Sequence, residues 1–412
     1  MDKTLRNLQY YKFSAYGFLK NLRFFDAFLM LFLLEKGMSY SEIGIMYAVK
    51  EVALNLVEIP SGIFADTWGR KRTLAGSFVF YIISFSVFYF SNSFVLFLLA
   101  FALFGVGDAF RTGTHKGMMM DYLKMNDWGK HKTMYYGHTR AWSQRGLAIS
   151  SLIGGLIVFQ QGNFEVIFLY SIIPYLLNLL LLMSYPAKLN YSRERQEKSR
   201  WSDMKATFTD FWEMVKRPAV FALITNTAAH SAFQKAIKDY IQPVMVAAIT
   251  VLPFLTSLEE KQREGIFIGI IYFVIYLLTS RASSMAGLVK EKSLKSLAII
   301  TLLAGLIAGL LCGVLYGFEY WWWALLFFTV VYLVENFRKP IMTGLVADEV
   351  PNEILASVLS AQSQLQTVIT VLIALMIGFV ADLWGVGVAI TAVSLILGLI
   401  VLFIQWYKKS NK

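Results

Sequence analysis

The residues of this sequence best suited to chemistry are ionisable side chains set within long apolar segments. Asp108, Arg111 and His115 are spaced i, i+3 and i+7, so one helix would carry all three on one face. A carboxylate, a permanent cation and a titratable imidazole along one stripe can relay a proton or bind a charged solute. The alternative is a structural ion pair between Asp108 and Arg111.

Further carboxylates lie in two earlier apolar segments. Arg23 and Asp26 are spaced i, i+3, and Glu51 and Glu58 are spaced i, i+7, with Lys50 beside them. Burial raises the pKa of a carboxylate and a nearby cation lowers it, so such groups can carry protons between two states of a protein. Glu58 lies nearer a charged turn, where a structural role is the alternative. The predicted proton-coupling residues are Asp26, Glu51, Glu58, Asp108 and His115.

A polar stripe follows the seventh apolar segment, where Asn226, His230, Gln234 and Lys238 are spaced i, i+4. The cations and carboxylates within the apolar segments nearly balance, with a slight positive excess. This balance favours an anionic, zwitterionic or amphipathic organic solute over a bare metal cation. The predicted solute-binding residues are Arg23, Lys50, Arg111, Arg145, Asn226, His230, Gln234, Lys238, Glu335 and Arg338.

The sequence offers little to a metal or a cofactor, and we expect neither. Cys312 is the only cysteine and lies in an apolar segment, so no disulfide or thiolate metal site is available. The sequence contains no Gly-x-x-x-x-Gly-Lys-Ser/Thr loop, so ATP is not expected to drive the protein directly.

Long apolar segments must position these residues. Of 412 residues, 57% are hydrophobic and 16% charged, a composition typical of a polytopic membrane protein. A membrane-spanning helix needs about 20 mostly apolar residues. Twelve segments meet this requirement, near residues 12–35, 42–63, 73–91, 93–122, 136–160, 163–184, 217–249, 264–288, 296–316, 320–347, 356–382 and 386–407. The sequence therefore predicts an all-α integral membrane protein of twelve transmembrane helices, with both termini on one side.

The basic residues predict the orientation. Lys and Arg collect in short loops on the cytoplasmic side, and the loops on the opposite side hold only Lys36, Lys261 and Arg263 of the 38 basic residues. Both termini are therefore predicted to be cytoplasmic, in a multi-pass protein of the cytoplasmic membrane. Because the net charge of +11 is dispersed in short turns, a nucleic-acid partner is not expected. The expected partners are a small-molecule substrate, protons and the lipid bilayer, and we expect a monomer.

The chain contains an internal repeat. Residues 108–121, DAFRTGTHKGMMMD, align without a gap on residues 335–348, ENFRKPIMTGLVAD, although His115 is replaced by Met342. The match predicts that a six-span unit is duplicated. The predicted domains are an N-terminal six-helix bundle over 1–184, a cytoplasmic linker over 185–216 and a C-terminal six-helix bundle over 217–412.

A charged turn, GIFADTWGRKR at residues 62–72, separates the second and third apolar segments. Its Gly62, Asp66, Gly69, Arg70 and Lys71 match the Gly-x-x-x-Asp-x-x-Gly-Arg-Lys signature of the major facilitator superfamily, which the whole chain resembles. Asp66 can meet helix N-terminal dipoles between the halves, and Arg70 can pair with a carboxylate at the end of the fourth span. The predicted gating residues, with their counterparts in the repeat, are Gly62, Asp66, Gly69, Arg70, Lys71, Asp121, Glu291, Lys295 and Asp348.

A second resemblance lies in the fifth segment. GLAISSLIGG, residues 146–155, is similar to the Gly-x-x-x-Gly-Pro-x-x-Gly-Gly element of antiporter branches of that family: Gly146, Gly154 and Gly155 match, but Ser150 and Ser151 replace the Gly-Pro pair. The alternative is ordinary packing of small residues between helices.

The resemblance implies a secondary transporter that works by alternating access and is coupled to protons. The antiporter-like element favours export of the solute, and proton-coupled import of an organic anion is the alternative. A membrane enzyme is a remote alternative, because His115 and Asp121 lack a nucleophile or metal cluster at supporting spacing. A receptor without transport is equally remote.

Overall fold

The structure, a computed structural model, describes residues 5–190, 218–251, 257–286, 294–350 and 352–410, and this described part is built from helices and turns without strands. The long helices, numbered along the chain, are α1 Leu8–Leu19, α2 Leu29–Glu35, α3 Tyr40–Thr67, α4 Arg70–Phe90, α5 Phe94–Arg111, α6 Thr114–Met125, α7 Lys132–Gln161, α8 Val166–Met183, α9 Pro218–Ile237, α10 Ile241–Thr250, α11 Glu260–Met285, α12 Leu294–Gly317, α13 Trp321–Glu349 and α14 Asn352–Ser410. Helix α14 bends at Gly385, which takes φ +83°.

Several of these helices have the length and composition of membrane spans. Within the described residues, six stretches meet both criteria: Arg70–Phe90, Phe94–Met125, Val166–Met183, Glu260–Met285, Ser296–Gly317 and Val358–Phe403. Their outer faces expose large apolar side chains such as Leu180, Leu372 and Leu399. A lipid bilayer solvates such faces, so the helices are those of a multi-pass membrane protein.

The structure divides three segments that the sequence predicts as single helices. Residues 20–28 separate α1 from α2. Helix α5 ends at Arg111 because Gly113 takes φ +77°, a conformation that cannot continue a helix. A 3-10 turn, Lys238–Tyr240, separates α9 from α10. Interrupted helices expose main-chain polar groups, so other residues must bond to those groups inside a membrane.

The chain divides into two compact units. Unit 1 comprises Met1–Met38, Val49–Glu194 and Leu252–Tyr276. In it, α4 packs against α5 and α8, and α1 packs against α7. Its core is largely aromatic: the rings of Phe25, Phe32 and Phe88 all lie within 5 Å of the ring of Phe168, at 4.9, 4.6 and 4.9 Å between centroids.

Unit 2 comprises Ser39–Ala48, Arg195–Val251 and Leu277–Lys412. In it, α12 packs against α13 and α14, and α9 packs against the same two helices. Aliphatic side chains fill much of this unit, among them the cluster of Val220, Ile224, Val346, Val350 and Val358. Residues 191–217, most of the predicted linker, lie outside the described part, and the bundle boundaries at 184 and 217 stay a prediction.

Candidate functional site

Asp108 lies at the centre of a buried polar network in unit 1. Arg111 donates from Nη2 to Asp108 Oδ1 over 2.9 Å, and the Tyr81 hydroxyl donates to the same oxygen over 2.5 Å. Arg111 Nε also donates to the Tyr81 hydroxyl over 2.9 Å, while Lys50 Nζ lies 3.9 Å from Asp108 Oδ2. Two cations thus face one carboxylate. Tyr81, on α4, is a member of this network that sequence spacing did not suggest.

Arg23 and Asp26 form a second ion pair, within the interruption between α1 and α2. Arg23 Nη2 and Asp26 Oδ2 are 2.8 Å apart, and both side chains are about four-fifths buried, at 22% and 18% exposure. Residues of α8 bond the main chain of this interruption: the Tyr175 hydroxyl donates to Lys20 O over 2.9 Å, and Phe24 N donates to Ser171 Oγ over 3.0 Å. The interruption is therefore bonded to α8, and it holds a cation and a carboxylate side by side.

A matching arrangement occurs in unit 2. Lys238 Nζ lies 3.4 Å from Asp239 Oδ1 in the turn between α9 and α10, and the Tyr332 hydroxyl donates to Lys238 O over 2.8 Å. The sequence holds a signal for this match. FLKNLRFFDAFLM at 18–30 aligns without a gap on FQKAIKDYIQPVM at 233–245, which pairs Arg23 with Lys238. The repeat therefore extends to both interruptions, and the contact with Lys238 makes Asp239 a further candidate.

His115 does not share a face with Asp108, because the chain turns at Gly113 before His115 begins the next helix. The imidazole stacks on the Tyr16 ring, with 3.7 Å between ring centroids and 9° between planes, and its Nε2 lies 3.4 Å from the Tyr185 hydroxyl. Phe13 packs edge-on against the same imidazole at 5.4 Å. Burial raises the pKa of Tyr185, so this hydroxyl stays neutral. His115 is thus part of an aromatic cluster.

Glu335 and Arg338 do not form the ion pair that their counterparts Asp108 and Arg111 form. His230 Nδ1 lies 2.7 Å from Glu335 Oε2, and the Ser231 hydroxyl donates to Oε1 over 2.7 Å. The His230 side chain is completely buried, and that of Glu335 is 8% exposed. A titratable imidazole and a carboxylate therefore share one buried site.

Arg338 is bound separately, on α13. It is 1% exposed and donates to Thr301 Oγ1 over 3.0 Å, to Asn226 O over 2.9 Å, and also to the side chain of Asn226 and the main-chain oxygen of Ala298. These hydrogen-bond partners are all neutral groups.

The remaining predicted residues differ in exposure. Glu51 is buried at 4% exposure, and Glu58 and Gln234 are half-buried. Arg145 is exposed and lies over the Trp142 ring, 4.8 Å from its centroid.

The charged turn has the contact expected of it. Arg70 Nη1 donates to Asp121 Oδ2 over 2.6 Å, and Lys71 Nζ donates to the carbonyls of Met183 and Tyr185 over 2.8 and 2.9 Å at the end of α8. Gly69 takes φ +92° between α3 and α4.

Other predicted gating residues are less well defined. Gly62 is exposed and has open space around it, and Asp348 is exposed as well. The side chains of Asp66 and Lys295 and the whole of Glu291 lie outside the part of the chain that the structure describes.

The three matched glycines of the fifth segment are packing sites. A Cβ on Gly146 would lie 2.5 Å from Phe18 O, and one on Gly154 would lie 2.5 Å from Phe24 O. A Cβ on Gly155 would collide with the Gly265 carbonyl. These contacts support the alternative that the small residues of GLAISSLIGG allow close packing between helices.

Apolar helices around buried, paired charges define the class of protein: a multi-pass helical membrane protein. The chain belongs to the Major Facilitator Superfamily, whose family model matches residues 21–374. This is a family of transporters rather than enzymes, in agreement with the expectation that the chain is not an enzyme.

Comparison with individual proteins supports the same family. Over 121 residues the chain is 31% identical to an uncharacterized MFS-type transporter, YxaM, of Bacillus subtilis (strain 168). That match covers 29% of this chain and 30% of the relative's length. The structure resembles that of a mutant of the nucleoside transporter NupG, with a TM-score of 0.75, 15% identity and coverage of 96% of this chain and 99% of the other. It also resembles a POT family transporter in complex with a thioalcohol-conjugated peptide, with a TM-score of 0.73, 14% identity and coverage of 99% and 96%. At these identities the two structures show the fold alone.

Proposed function

We propose that this chain is a secondary active transporter that moves a small organic solute across the cytoplasmic membrane by alternating access. Its twelve spans form two six-helix bundles, 1–184 and 217–412, joined by a cytoplasmic linker, and both termini are cytoplasmic. It works as a monomer. Family membership supports the transport class, and the loop charges support the orientation.

The observation that carries this proposal is the pair of interrupted helices with charged residues inside them. Arg23–Asp26 and Lys238–Asp239 occupy matching interruptions of the first and seventh segments. Secondary transporters bind solutes and coupling ions at discontinuous helices near the bilayer midplane. A cation and a carboxylate at each interruption suit a solute that carries an anionic or zwitterionic group.

The solute's charge follows from the balance of groups in unit 1. Arg23, Lys50 and Arg111 face Asp26 and Asp108 across distances of 2.8 to 3.9 Å, so the cations outnumber the carboxylates in these two networks. An organic anion, a zwitterion or an amphipathic molecule can bind to such a site without leaving a buried cation uncompensated.

Proton coupling is assigned to Asp26, Glu51 and Asp108 in unit 1. Asp26 and Asp108 each contact a cation, and a carboxylate that exchanges its cation for a proton links protonation to movement of the chain. Glu58 lies near the charged turn and is assigned a structural role. His115 is assigned a packing role, because its imidazole is stacked within an aromatic cluster. The buried Glu335–His230 pair is the corresponding proton site of unit 2.

Export is the favoured direction, and proton-coupled import of an organic anion is the alternative. Structural relatives include a nucleoside transporter, a POT family transporter in complex with 5-aminolevulinic acid and a D-xylose–proton symporter. Solutes of these kinds, extended by organic acids, form the first set to screen by thermal shift on the purified protein.

The test uses purified protein in proteoliposomes with an imposed pH gradient. We expect gradient-driven movement of the solute without chemical change, and loss of that movement in Asp26→Asn or Glu51→Gln with normal folding. Asp127→Asn is the matched control, because Asp127 is an exposed acid at φ +58°, a conformation that Asn accepts. Chemical turnover of the solute would indicate an enzyme, binding without movement a receptor, and full driven transport in both variants would refute the proton assignment.

A further inference from the structure

The charged turn has a second copy that lies far from its repeat counterpart. Residues 62–69 are GIFADTWG, and residues 378–385 are GFVADLWG. Glycine, alanine, aspartate, tryptophan and glycine recur in register, which pairs Asp66 with Asp382. The six-span repeat does not predict this match, because it relates the charged turn to residues 287–295 instead.

The two copies also share a backbone conformation. Gly69 takes φ +92° and ψ +144°, and Gly385 takes φ +83° and ψ +164°. Each glycine joins two helices, α3 to α4 in one case and the two arms of α14 in the other. L-residues rarely adopt this region, so the match in sequence corresponds to a match in geometry.

Asp382 binds the first turn of α3. One carboxylate oxygen accepts from Tyr40 N and the other accepts from Ser41 N, each over 2.8 Å. Main-chain amides at a helix start have no partner within the helix and carry partial positive charge, so Asp382 caps α3 from a distant part of the chain.

Close packing accompanies this cap. Gly378 lies so near α3 that a Cβ there would be 3.0 Å from Ser41 Cα and would collide with the Tyr40 carbonyl. One turn further along, Gly44 lies so near α14 that a Cβ would collide with Ala374 O. Within unit 2, α3 and α14 therefore meet main chain to main chain beside Asp382.

The geometry points to Asp382 as a gate residue at the end of α3 opposite the charged turn. Helix α3 begins at Tyr40, where Asp382 caps it, and ends at Thr67, beside Asp66 of the same motif. We infer that the cap holds α3 against α14 while this end is closed, and that it breaks when this end opens. This inference rests on the proposed alternating access, and it assigns one motif copy to each end of α3.

The inference predicts that removing the cap opens this end. In a Cys312→Ala background, spin labels at Ser93 and Phe318 report the distance between the turns after α4 and after α12. Lys36, just before α3, bonds Asn92 in the first turn. Gly387, just after Asp382, is packed beside the second turn, because a Cβ added to it would lie 3.0 Å from Gly317 N. We expect Asp382→Ala to raise the ratio of long to short distances between the two labels by roughly fivefold. A change of this size is typical of the loss of a helix N-cap.

Two further variants keep the test decisive. Asp382→Asn keeps one acceptor oxygen but places an amide donor against the other main-chain N–H, so it is expected to open this end less than Asp382→Ala does. Gly378→Ala keeps the carboxylate but forces α3 away, so it is expected to open this end even if Asp382→Ala folds poorly. Glu259→Gln, an exposed acid before α11, is the matched control and is expected to leave the distances unchanged.

The outcomes separate this inference from the proposed function. Unchanged distances in both Asp382→Ala and Gly378→Ala would overturn the gate assignment, even if the protein transports a solute. A shift to long distances in these variants supports the gate. Absence of transport in proteoliposomes would bear on the proposed function alone, because the distance measurement needs no solute.

Discussion

The hydroxyl of Tyr175 donates to the main-chain oxygen of Lys20 over 2.9 Å, across 155 residues of sequence. Tyr332 makes a similar bond to the main-chain oxygen of Lys238, over 2.8 Å and across 94 residues. Each tyrosine lies on a long helix and bonds a carbonyl that the interruption has freed. A pair of tyrosines therefore fixes the two places where the proposed solute site interrupts its helices.

Removal of the Tyr175 hydroxyl is expected to destabilise unit 1. Tyr175→Phe keeps the ring packing but leaves the Lys20 carbonyl without this donor, which costs about 1–3 kcal/mol for a buried group. Thermal unfolding of the purified protein in detergent measures the loss. Tyr170→Phe, on the exposed face of the same helix, is the control and is expected to melt as the wild type does. Equal melting of both variants would show that the bond contributes nothing.

The pairing of Arg70 with Asp121 is expected to couple the charged turn to the end of α6. Their side chains are 19% and 31% exposed, so water weakens the pair only in part. A double-mutant cycle with Arg70→Gln and Asp121→Asn is expected to give a coupling free energy of about 1 kcal/mol. The same cycle with exposed Arg72 in place of Arg70 is expected to give none. Additive effects in the Arg70 cycle would contradict a direct interaction.

Several features of the fold were predictable because their signals are local or repeated. Apolar segments of sufficient length predict membrane helices. The sequence also suggested that Arg70 can pair with a carboxylate at the end of the fourth span, and the structure contains such a contact with Asp121. The interruption at residues 20–28 was not predictable in this way. Its carbonyl and amide partners, Tyr175 and Ser171, lie 155 and 147 residues away and have no fixed spacing from it.

The candidate site shows why repeated residues need not make repeated contacts. Asp108 and Arg111 pair with each other, but Glu335 instead bonds His230 on α9. At the offset that relates the two interruptions, the counterpart of His230 is Ala15, which has no polar atom in its side chain. Asp108 therefore has no imidazole at that position and forms its ion pair with Arg111 on its own helix. The partner of each carboxylate depends on the side chains of neighbouring helices, and a motif on one helix does not predict those side chains.

The Glu335–His230 pair is expected to be required for coupling to protons. Glu335→Gln removes the charge opposite His230 while keeping a similar shape, so we expect loss of gradient-driven accumulation with solute exchange retained. Ser231→Ala, which removes one of the two bonds to Glu335, is expected to give an intermediate loss. Thr329→Ala on the same helix as Glu335 is the control, because its hydroxyl bonds only the preceding turn in the described contacts. Wild-type accumulation in Glu335→Gln would remove this pair from the coupling mechanism.

His115 is expected to act through packing, and two substitutions separate packing from proton transfer. His115→Phe preserves the stack on Tyr16 but cannot bind a proton, so we expect most gradient-driven transport to remain. His115→Ala leaves a cavity among Phe13, Tyr16 and Tyr185 and is expected to lower stability by about 2–4 kcal/mol. Transport in proteoliposomes and thermal unfolding measure the two effects. If His115→Phe folds normally yet loses gradient-driven transport, the imidazole is a proton carrier and its assignment to packing is wrong.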